Sequence, residues 1–316
     1  MKEKSSFIGT VSLIASFALL LLLPVWSQEE AKKQGDLCRK TSADELKACS
    51  SAARGNLWLA SAKCENLATA AERQACLKQA AKDHKSANEE CQAQNKARLA
   101  VCKGLGNGAY NPPIQPSDFV EVIDNPFFPL HPGTTFIYEN HTASGTEHVE
   151  VKVTQNRRTI MGVSCLEVRD TVSVDGEVIE DTLDWYAQDR AGSVWYFGEN
   201  SKQYANGLIV GLAGSWIGGE NGAKPGLIME THPQAGQLYR QEYLPGSAED
   251  MAEILALDAS VTVPQGSYTS CLKTKDFSPL EPDAIENKFY APGVGLVKTI
   301  DMQTGDHEDL IDIVTE

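Results

Sequence analysis

The stretch WYAQDRAGSVWYFGE at residues 185–199 is echoed about a hundred positions later by FYAPGVGLVKTID at residues 289–301. Each copy runs from an aromatic segment through a turn that contains glycine into an apolar segment. The matched residues keep offsets of 103 or 104 positions: Tyr186 with Tyr290, Gly192 with Gly295, and Val194 with Val297. A pattern that recurs in this way indicates a structural unit present twice.

Further matches extend the pattern to a whole repeat. PGTTFIYE corresponds to AGQLYRQE at an offset of 103, and MGVSCLEVRD corresponds to SYTSCLKTKD at an offset of 106. Because the matches keep the same order along the chain, we interpret residues 119–316 as a β-domain made by duplication. The repeats span about residues 132–198 and 235–301, with a crossover at residues 199–233.

The β-domain shows short alternating runs, which predict antiparallel strands. HVEVKVT alternates cleanly, and DTVSVDGEVIEDTLDWYA contains Asp175-Gly176, a pair typical of a hairpin turn. Two units of about five strands each predict one curved sheet or a partly open barrel. AEDMAEILAL at residues 248–257 has a helical composition but aligns with GTEHVEVKVT. We therefore predict a strand there, since tertiary context overrides helix propensity.

Residues 1–27 have the order of a secretory signal peptide: two lysines, an apolar run, and small Ser27 at the expected cleavage site. The alternative is an uncleaved anchor, because the apolar run approaches the length that spans a bilayer. We expect cleavage, a secreted or periplasmic protein, and no membrane span in the mature chain.

The charge is divided unevenly along the chain, whose formal net charge is −15. Residues 28–105 hold 14 lysines and arginines against 10 acidic residues, whereas residues 106–316 hold 12 against 32. Such an acidic second part excludes nucleic-acid binding through phosphate neutralisation. Cations, cationic partners and plain solubility are the interpretations that the charge leaves open.

Six of the eight cysteines lie in a proline-free segment, residues 37–103, whose composition predicts helix. Their spacings are 11, 15, 12, 15 and 11, so every nested pair of positions sums to 140. Facing positions on two antiparallel helices have a constant index sum. Cysteines eleven residues apart on one helix are instead about 16 Å apart, too far for a disulfide. A hairpin folded about residue 70 predicts three bridges: Cys38–Cys102, Cys49–Cys91 and Cys64–Cys76.

A rival turn at Gly55-Asn56 would give three helices and two cysteine layers that suit Cu(I). The capping-box sequence TAAE at residues 69–72 favours the two-helix form, and an exported chain normally oxidises its thiols. We place the helical hairpin at residues 28–104 and a Gly/Pro-rich linker at residues 105–118. The predicted fold class is α+β: a disulfide-braced helical hairpin followed by a mainly antiparallel β-domain.

Five motifs carry a resemblance to a family of exported bacterial proteins: NPFFPLHPGTTFIYE, DWYAQDRAGSVWYFGE, GAKPGLIM, YRQEYLPGSAEDMAE and YAPGVGLVKTID. In that family, cysteine-rich helices precede a duplicated β-domain, and the resemblance implies no particular activity. More distantly, YAPGVGLVK is similar to periplasmic proteins with curved sheets of the lipoprotein-carrier type. That second resemblance concerns the fold alone.

The segment at residues 199–233 is not explained by the duplication, so it is where we look for a binding site. It is rich in glycine, and loops on a duplicated scaffold often carry specificity. The alternative is a structural crossover whose glycines permit tight turns. We predict that the 214–224 loop lies beside a concave face and binds a ligand or partner through Trp216, Glu220, Asn221 and Lys224.

The duplication also pairs residues of the two repeats. Cys165 and Cys271 occupy equivalent places, so we predict a disulfide between them, with two buried free thiols as the alternative. Acidic residues recur at equivalent positions as well. If they face one concavity they predict a calcium site with hard oxygen ligands; otherwise they form a solvated strand face. These candidate ligands are Glu147, Glu150, Asp250 and Glu253.

The sequence contains no standard catalytic motif: HEDLI lacks the second histidine of a zincin, and GSWIG is not a nucleophile elbow. We therefore predict a non-catalytic protein that binds a small molecule or another protein and holds no cofactor, with a bound calcium ion as the alternative. One alternative is a hydrolase with an unfamiliar site, which would gather perturbed acids and bases in a cleft. Another is a periplasmic carrier of an apolar ligand, which would contain an apolar pocket.

Overall fold

The computed structural model describes residues 36–142 and 145–316, and the predicted signal peptide lies outside these residues. Two helices come first in the described chain: α1, Leu37–Glu65, and α2, Ala70–Leu105. Eighteen strands follow: β1 Phe119–Val120, β2 Ile123–Asn125, β3 Phe128–Leu130, β4 Thr134–Thr142, β5 Gly145–Ile160, β6 Val163–Val174, β7 Glu177–Asp189, β8 Val194–Ala205, β9 Leu208–Gly211, β10 Trp216–Ile217, β11 Lys224–Met229, β12 Leu238–Arg240, β13 Glu242–Tyr243, β14 Met251–Val263, β15 Gly266–Ser278, β16 Glu281–Ala291, β17 Gly295–Asp301 and β18 His307–Thr315. The predicted fold class is confirmed.

The helical hairpin turns where the capping box predicts. The Thr69 hydroxyl accepts a hydrogen bond from the Glu72 backbone N–H, and the Glu72 carboxylate accepts one from the Thr69 backbone N–H. The two helices are joined by the three predicted disulfides, with Cα–Cα distances of 5.7, 5.8 and 5.4 Å: Cys38–Cys102, Cys49–Cys91 and Cys64–Cys76.

The rival three-helix arrangement is wrong. Helix α1 runs without a break through Gly55, where a Cβ atom would meet nothing within 4 Å. A glycine in mid-helix costs only about 1 kcal/mol, which packing and three cross-links offset. Because all six cysteines of the hairpin are in disulfides, they form no thiolate layer for a soft metal.

The main sheet is an antiparallel, nearly closed barrel. Thirteen of its strands follow one hydrogen-bonded path, in the order β12-β14-β15-β16-β17-β18-β4-β5-β6-β7-β8-β11-β13. The two ends of this path, β12 and β13, are separated in the chain by Gln241 alone. Gly226 on β11 permits the closure, because a Cβ atom there would overlap the backbone of Gln241.

The two halves of the barrel are similar meanders. Strands β4 to β8 are consecutive neighbours in one half, and β14 to β17 are consecutive neighbours in the other. The strand predicted at residues 248–257 against its helical composition is confirmed, since β14 begins at Met251. Its side chains pack in the barrel core, where Met251, Ala252 and Ile254 are at most 1% exposed. The duplication itself stays an interpretation of the sequence.

The predicted disulfide between Cys165 and Cys271 is wrong, because both are buried free thiols. Cys165 on β6 and Cys271 on β15 have five strands between them, about 29 Å along the sheet at the usual strand spacing. They also pack in different apolar clusters. Equivalent places in two repeats need not lie close together. Burial raises the pKa of the Cys165 thiol to about 12, so it stays protonated.

A small hairpin of β2 and β3 closes one end of the barrel. The Gln188 side-chain oxygen accepts hydrogen bonds from the backbone N–H groups of Asp124 and Asn125, each 2.9 Å. The glycine-containing turns of residues 185–199 and 289–301 form hydrogen bonds with the same hairpin. Asn125 Nδ2 donates to the Gly192 carbonyl at 2.8 Å, and the Gly293 N–H donates to the Pro126 carbonyl at 2.7 Å.

The helical hairpin is fixed to the barrel by a buried ionic contact. Arg98 on α2 donates to both carboxylate oxygens of Glu249, at 2.7 and 2.9 Å, and also pairs with Glu45 on α1. Gln94 adds a hydrogen bond of 2.9 Å to the Leu280 carbonyl. These contacts place helices and sheet in one compact unit, residues 36–316.

Three disulfides indicate an extracytoplasmic protein, since reducing compartments rarely hold them. Among residues 36–142 and 145–316, neither helix combines the length and the hydropathy that crossing a bilayer requires.

Candidate functional site

The barrel encloses two chambers that share part of their walls. The first has a volume of about 210 Å³ and is mainly apolar; the second, about 470 Å³, is mainly polar. Three residues line both chambers: Asp170 on β6, Lys288 on β16 and Leu296 on β17. The apolar and the polar chamber therefore adjoin at a wall that carries charged groups.

Aromatic side chains form much of the apolar chamber. Phe128 from the β2–β3 hairpin packs against Tyr186, with 5.3 Å between the ring centroids, and lies 6.5 Å from Tyr290. Tyr186 in turn stacks on Tyr196 at 4.8 Å. The remaining apolar lining includes Phe136, Val151 and Val168 on strands β4 to β6, Ile228 on β11, and Val294 in the turn before β17.

Two pairs of neighbouring strands, β6–β7 and β15–β16, place residues in this interior with the same pairing register. We call β6–β7 the first ribbon and β15–β16 the second ribbon. In the first ribbon, Leu166 pairs with Tyr186 and Val168 pairs with Asp184. In the second, the equivalent pairs are Leu272 with Tyr290 and Thr274 with Lys288. An aspartate follows two residues later on the leading strand in each case, at Asp170 and at Asp276.

In the second ribbon, two acidic side chains are paired with a lysine. Lys288 Nζ lies 3.6 Å from Asp276 Oδ2 and 3.3 Å from Glu286 Oε2. Burial alone would lower the pKa of Lys288, but the nearby carboxylates of Asp276 and Glu286 raise it well above its ordinary value. Lys288 is therefore charged, and two carboxylates already surround that charge.

The first ribbon has an aspartate, Asp184, where the second has Lys288. Burial and the charge of Asp184 raise the pKa of Asp170 to about 7. Burial and the charge of Glu199 raise the pKa of Asp184 to about 8. Asp170 Oδ1 is shielded from solvent and has no hydrogen-bond partner.

A tyrosine hydroxyl lies between two of the buried acids. Tyr196 Oη is 2.5 Å from Asp184 Oδ1 and 3.1 Å from Glu199 Oε2. One hydroxyl has one proton to donate, so it fully satisfies only one of these carboxylates. Burial raises the pKa of Glu199 to about 7, despite the opposing hydrogen bond from Tyr196.

Further acids extend the negative charge of the interior. Burial and the charge of Asp170 raise the pKa of Glu308 to about 7. The pKa of Glu242 is raised well above its ordinary value by burial and by the charge of Asp250. Six carboxylates line the polar chamber: Glu147, Asp170, Glu286, Asp301, Asp306 and Glu308.

The structure places the predicted binding loop away from both chambers. Trp216 is only 3% exposed and packs edge-on against Tyr196, 5.3 Å between centroids, so it belongs to the core rather than to a binding face. Lys224 Nζ donates to Asn111 Oδ1 in the linker at 2.8 Å. Glu220 and Asn221 are exposed. The crossover returns to pair with β8, which places Trp216 in the core, and the binding role of the loop stays a prediction.

The four predicted calcium ligands do not come together. Glu147 lines the polar chamber, but Glu150 lies an odd number of residues along the same strand and faces outward. Side chains alternate across a strand, so such a pair cannot share one concavity. Asp250 is exposed and lies near Glu242, whereas Glu253 lies 4.0 Å from Lys275 at the surface. In the part of the chain that the structure describes, no group of three or more ligating side chains has metal-site geometry.

The sequence reasoning missed Asp170, Asp184 and Lys288. The signal was present in the repeat itself: the offset of 106 that aligns Cys165 with Cys271 also aligns Asp170 with Asp276. The offset of 104 that aligns the two tyrosines places Asp184 on Lys288. A reversal of charge between otherwise matching positions was the feature to look for.

No protein-family model matches this chain, and no curated protein sequence is similar to it. One similar solved structure is a crystal structure described as a "putative lipoprotein" from Parabacteroides distasonis. It is 15% identical with a TM-score of 0.33, and the alignment covers 60% of this chain and 98% of the other. The family suggested by the sequence motifs therefore stays a prediction.

Proposed function

We propose that this is an exported, non-catalytic protein that carries a small amphipathic molecule inside its barrel. The observation behind the proposal is the pair of joined chambers, one aromatic and apolar, the other polar, which meet at Asp170 and Lys288. Ligand sites in proteins are typically concave and mostly apolar, with a few polar groups that fix orientation. An amphipathic molecule matches such a space because each part of it meets a wall of its own kind.

The β2–β3 hairpin gives the proposed ligand a route into the barrel. Phe128, Pro129 and Leu130 of this hairpin line the apolar chamber directly. The hairpin pairs with no strand of the main sheet, and its links to the barrel include the hydrogen bonds to Gln188 and to the two glycine turns. Lifting the hairpin opens the aromatic chamber while leaving the barrel's strand pairing unchanged.

The test is mass spectrometry of small molecules released by denaturing the protein after export from its own host. A Val151→Trp variant fills part of the apolar chamber, and Val314→Trp, at a side chain that is 45% exposed, is the matched control. We expect one released compound from the wild type and from the control, and much less from Val151→Trp. Equal amounts from all three proteins, or none from the wild type, would contradict the proposal.

A further inference from the structure

We propose that the ligand is an organic cation: an amphiphile whose ammonium group is held by Asp170 and Asp184 while its apolar part fills the aromatic chamber. This inference rests on the proposed function, because it names the chemical class of the molecule that the barrel carries. Its basis is a difference in charge between the two ribbons: the first has Asp184 where the second has Lys288.

Asp170 is the residue that points most directly to a cation. It lines both chambers, yet its Oδ1 atom is shielded from solvent and has no hydrogen-bond or ion-pair partner. A carboxylate oxygen that is shielded from water and has no partner is unfavourable unless the group is neutralised. An ammonium group that enters the interior removes that cost by supplying both the charge and the hydrogen-bond donors.

The second ribbon shows how such a carboxylate is satisfied elsewhere in the same molecule. There, Lys288 neutralises Asp276, at the position that Asp184 occupies in the first ribbon. The first ribbon offers two acids and no basic residue at the equivalent places. A ligand ammonium near Asp170 and Asp184 makes the contact that the Lys288 ammonium makes with Asp276.

An anionic amphiphile fits this interior poorly. Lys288 is the one lysine that lines the chambers, and two carboxylates already hold it, at 3.3 and 3.6 Å. A carboxylate or phosphate headgroup would have to displace them while facing the other acids of the polar chamber. Like charges in a buried site repel strongly, since screening by water is weak there.

A metal ion alone fits poorly as well. No group of three or more ligating side chains among the described residues has metal-site geometry, and a space of about 470 Å³ is far larger than an ion needs. The adjoining aromatic wall favours a cation that carries apolar groups. The faces of Tyr186, Tyr290 and Phe128 attract organic ammonium groups as well as hydrocarbon.

The experiment uses three probes with the same six-carbon tail and different headgroups: hexylammonium, hexanol and hexanoate. Binding to the full mature protein is measured by calorimetry at pH 9, where the carboxylates and the amine are both charged. We expect hexylammonium to bind at least tenfold more tightly than hexanol, and hexanoate to bind most weakly. Asp170→Asn should reduce the preference for hexylammonium to less than threefold, whereas the surface control Glu253→Gln should keep it.

Each outcome has a distinct meaning. If hexanol binds as tightly as hexylammonium, or hexanoate binds more tightly, the cation proposal is wrong while the proposed carrier function stands. Failure of all three probes to bind overturns both. If Asp170→Asn is unstable, Asp184→Asn offers a second test: it removes the other carboxylate of the proposed site while keeping the size of the side chain, and it should likewise reduce the preference for hexylammonium to less than threefold.

Discussion

The β6–β7 and β15–β16 ribbons share their register but differ in charge. In the second ribbon Lys288 contacts Asp276 and Glu286, so the buried acids have a partner within the protein. In the first ribbon Asp184 takes the lysine's place, and Asp170 Oδ1 has no hydrogen-bond partner. The same scaffold thus carries acids paired with a lysine in one ribbon and a carboxylate oxygen without a hydrogen-bond partner in the other.

The difference in charge bears on stability in the second ribbon and on the proposed ligand binding in the first. Paired buried charges are costly to break but stabilise nothing beyond what an apolar pair would. Unpaired buried acids lower stability at neutral pH, and binding of a positive ligand recovers the loss. We interpret the second ribbon as the structural half of the interior and the first as the half that binds.

The largest expected effect concerns Trp216, which packs against Tyr196. Trp216→Ala removes a buried indole that packs on Tyr196, and it should lower the free energy of unfolding by about 3–5 kcal/mol. Urea denaturation measures the loss. Glu220→Ala, on the exposed part of the same crossover, should change stability by less than about 0.5 kcal/mol. A stable Trp216→Ala protein would restore Trp216 as a surface anchor.

A second substitution breaks the compensated ribbon. Lys288→Met leaves Asp276 and Glu286 without their cation, and it should cost about 3 kcal/mol in chemical denaturation at pH 8. The control is Lys275→Met, because Lys275 and Glu253 form a partly exposed pair at 4.0 Å, which should contribute no more than about 1 kcal/mol. Equal effects of the two substitutions would show that the Lys288 pair is not special.

The third prediction is a dependence of stability on pH. Among the described residues, five acids have pKa values raised to about 7 or 8, one of them buried and four half-buried: Asp184, and Glu45, Asp170, Glu199 and Glu308. Their pKa values in the unfolded chain lie near 4, so the folded state binds more protons between these limits. The stabilisation is complete below about pH 4 and is lost as pH rises through about 7 to 8.

We therefore expect the melting temperature to rise by on the order of 5 °C between pH 8.5 and pH 5.5. Differential scanning calorimetry checks this. Asp184→Asn removes one of the five groups and should flatten the dependence, whereas Glu253→Gln at the surface should not. A melting temperature that falls on mild acidification would contradict the burial of these acids.

The sequence predicted the helical hairpin well, for a physical reason. Disulfides constrain pairs of residues directly, so six cysteines whose nested pairs share one index sum specify which faces of the two helices meet. The strand at β14 was predictable because the repeat outweighed its helical composition. In both cases, the relation between distant residues can be read directly from their positions in the sequence.

The interior of the barrel was harder to predict, because it depends on which way each strand curves. The same repeat that predicted strand β14 also suggested a disulfide between Cys165 and Cys271, and equivalence in sequence gave no distance between them. Tryptophan is a residue type that often anchors a binding surface, yet the pairing of β10 with β8 turns the Trp216 side chain inward. Side-chain direction follows from register, which composition does not contain.

The most direct test of the account is to measure the pKa of Asp170 by carbon NMR of labelled aspartate, with and without saturating hexylammonium. In the free protein, we expect the pKa of Asp170 to be about 7. A bound ammonium beside the carboxylate should lower this pKa by more than one unit, because it favours the charged form. A pKa of Asp170 that stays unchanged when hexylammonium binds would contradict the account, since the cation would then lie elsewhere.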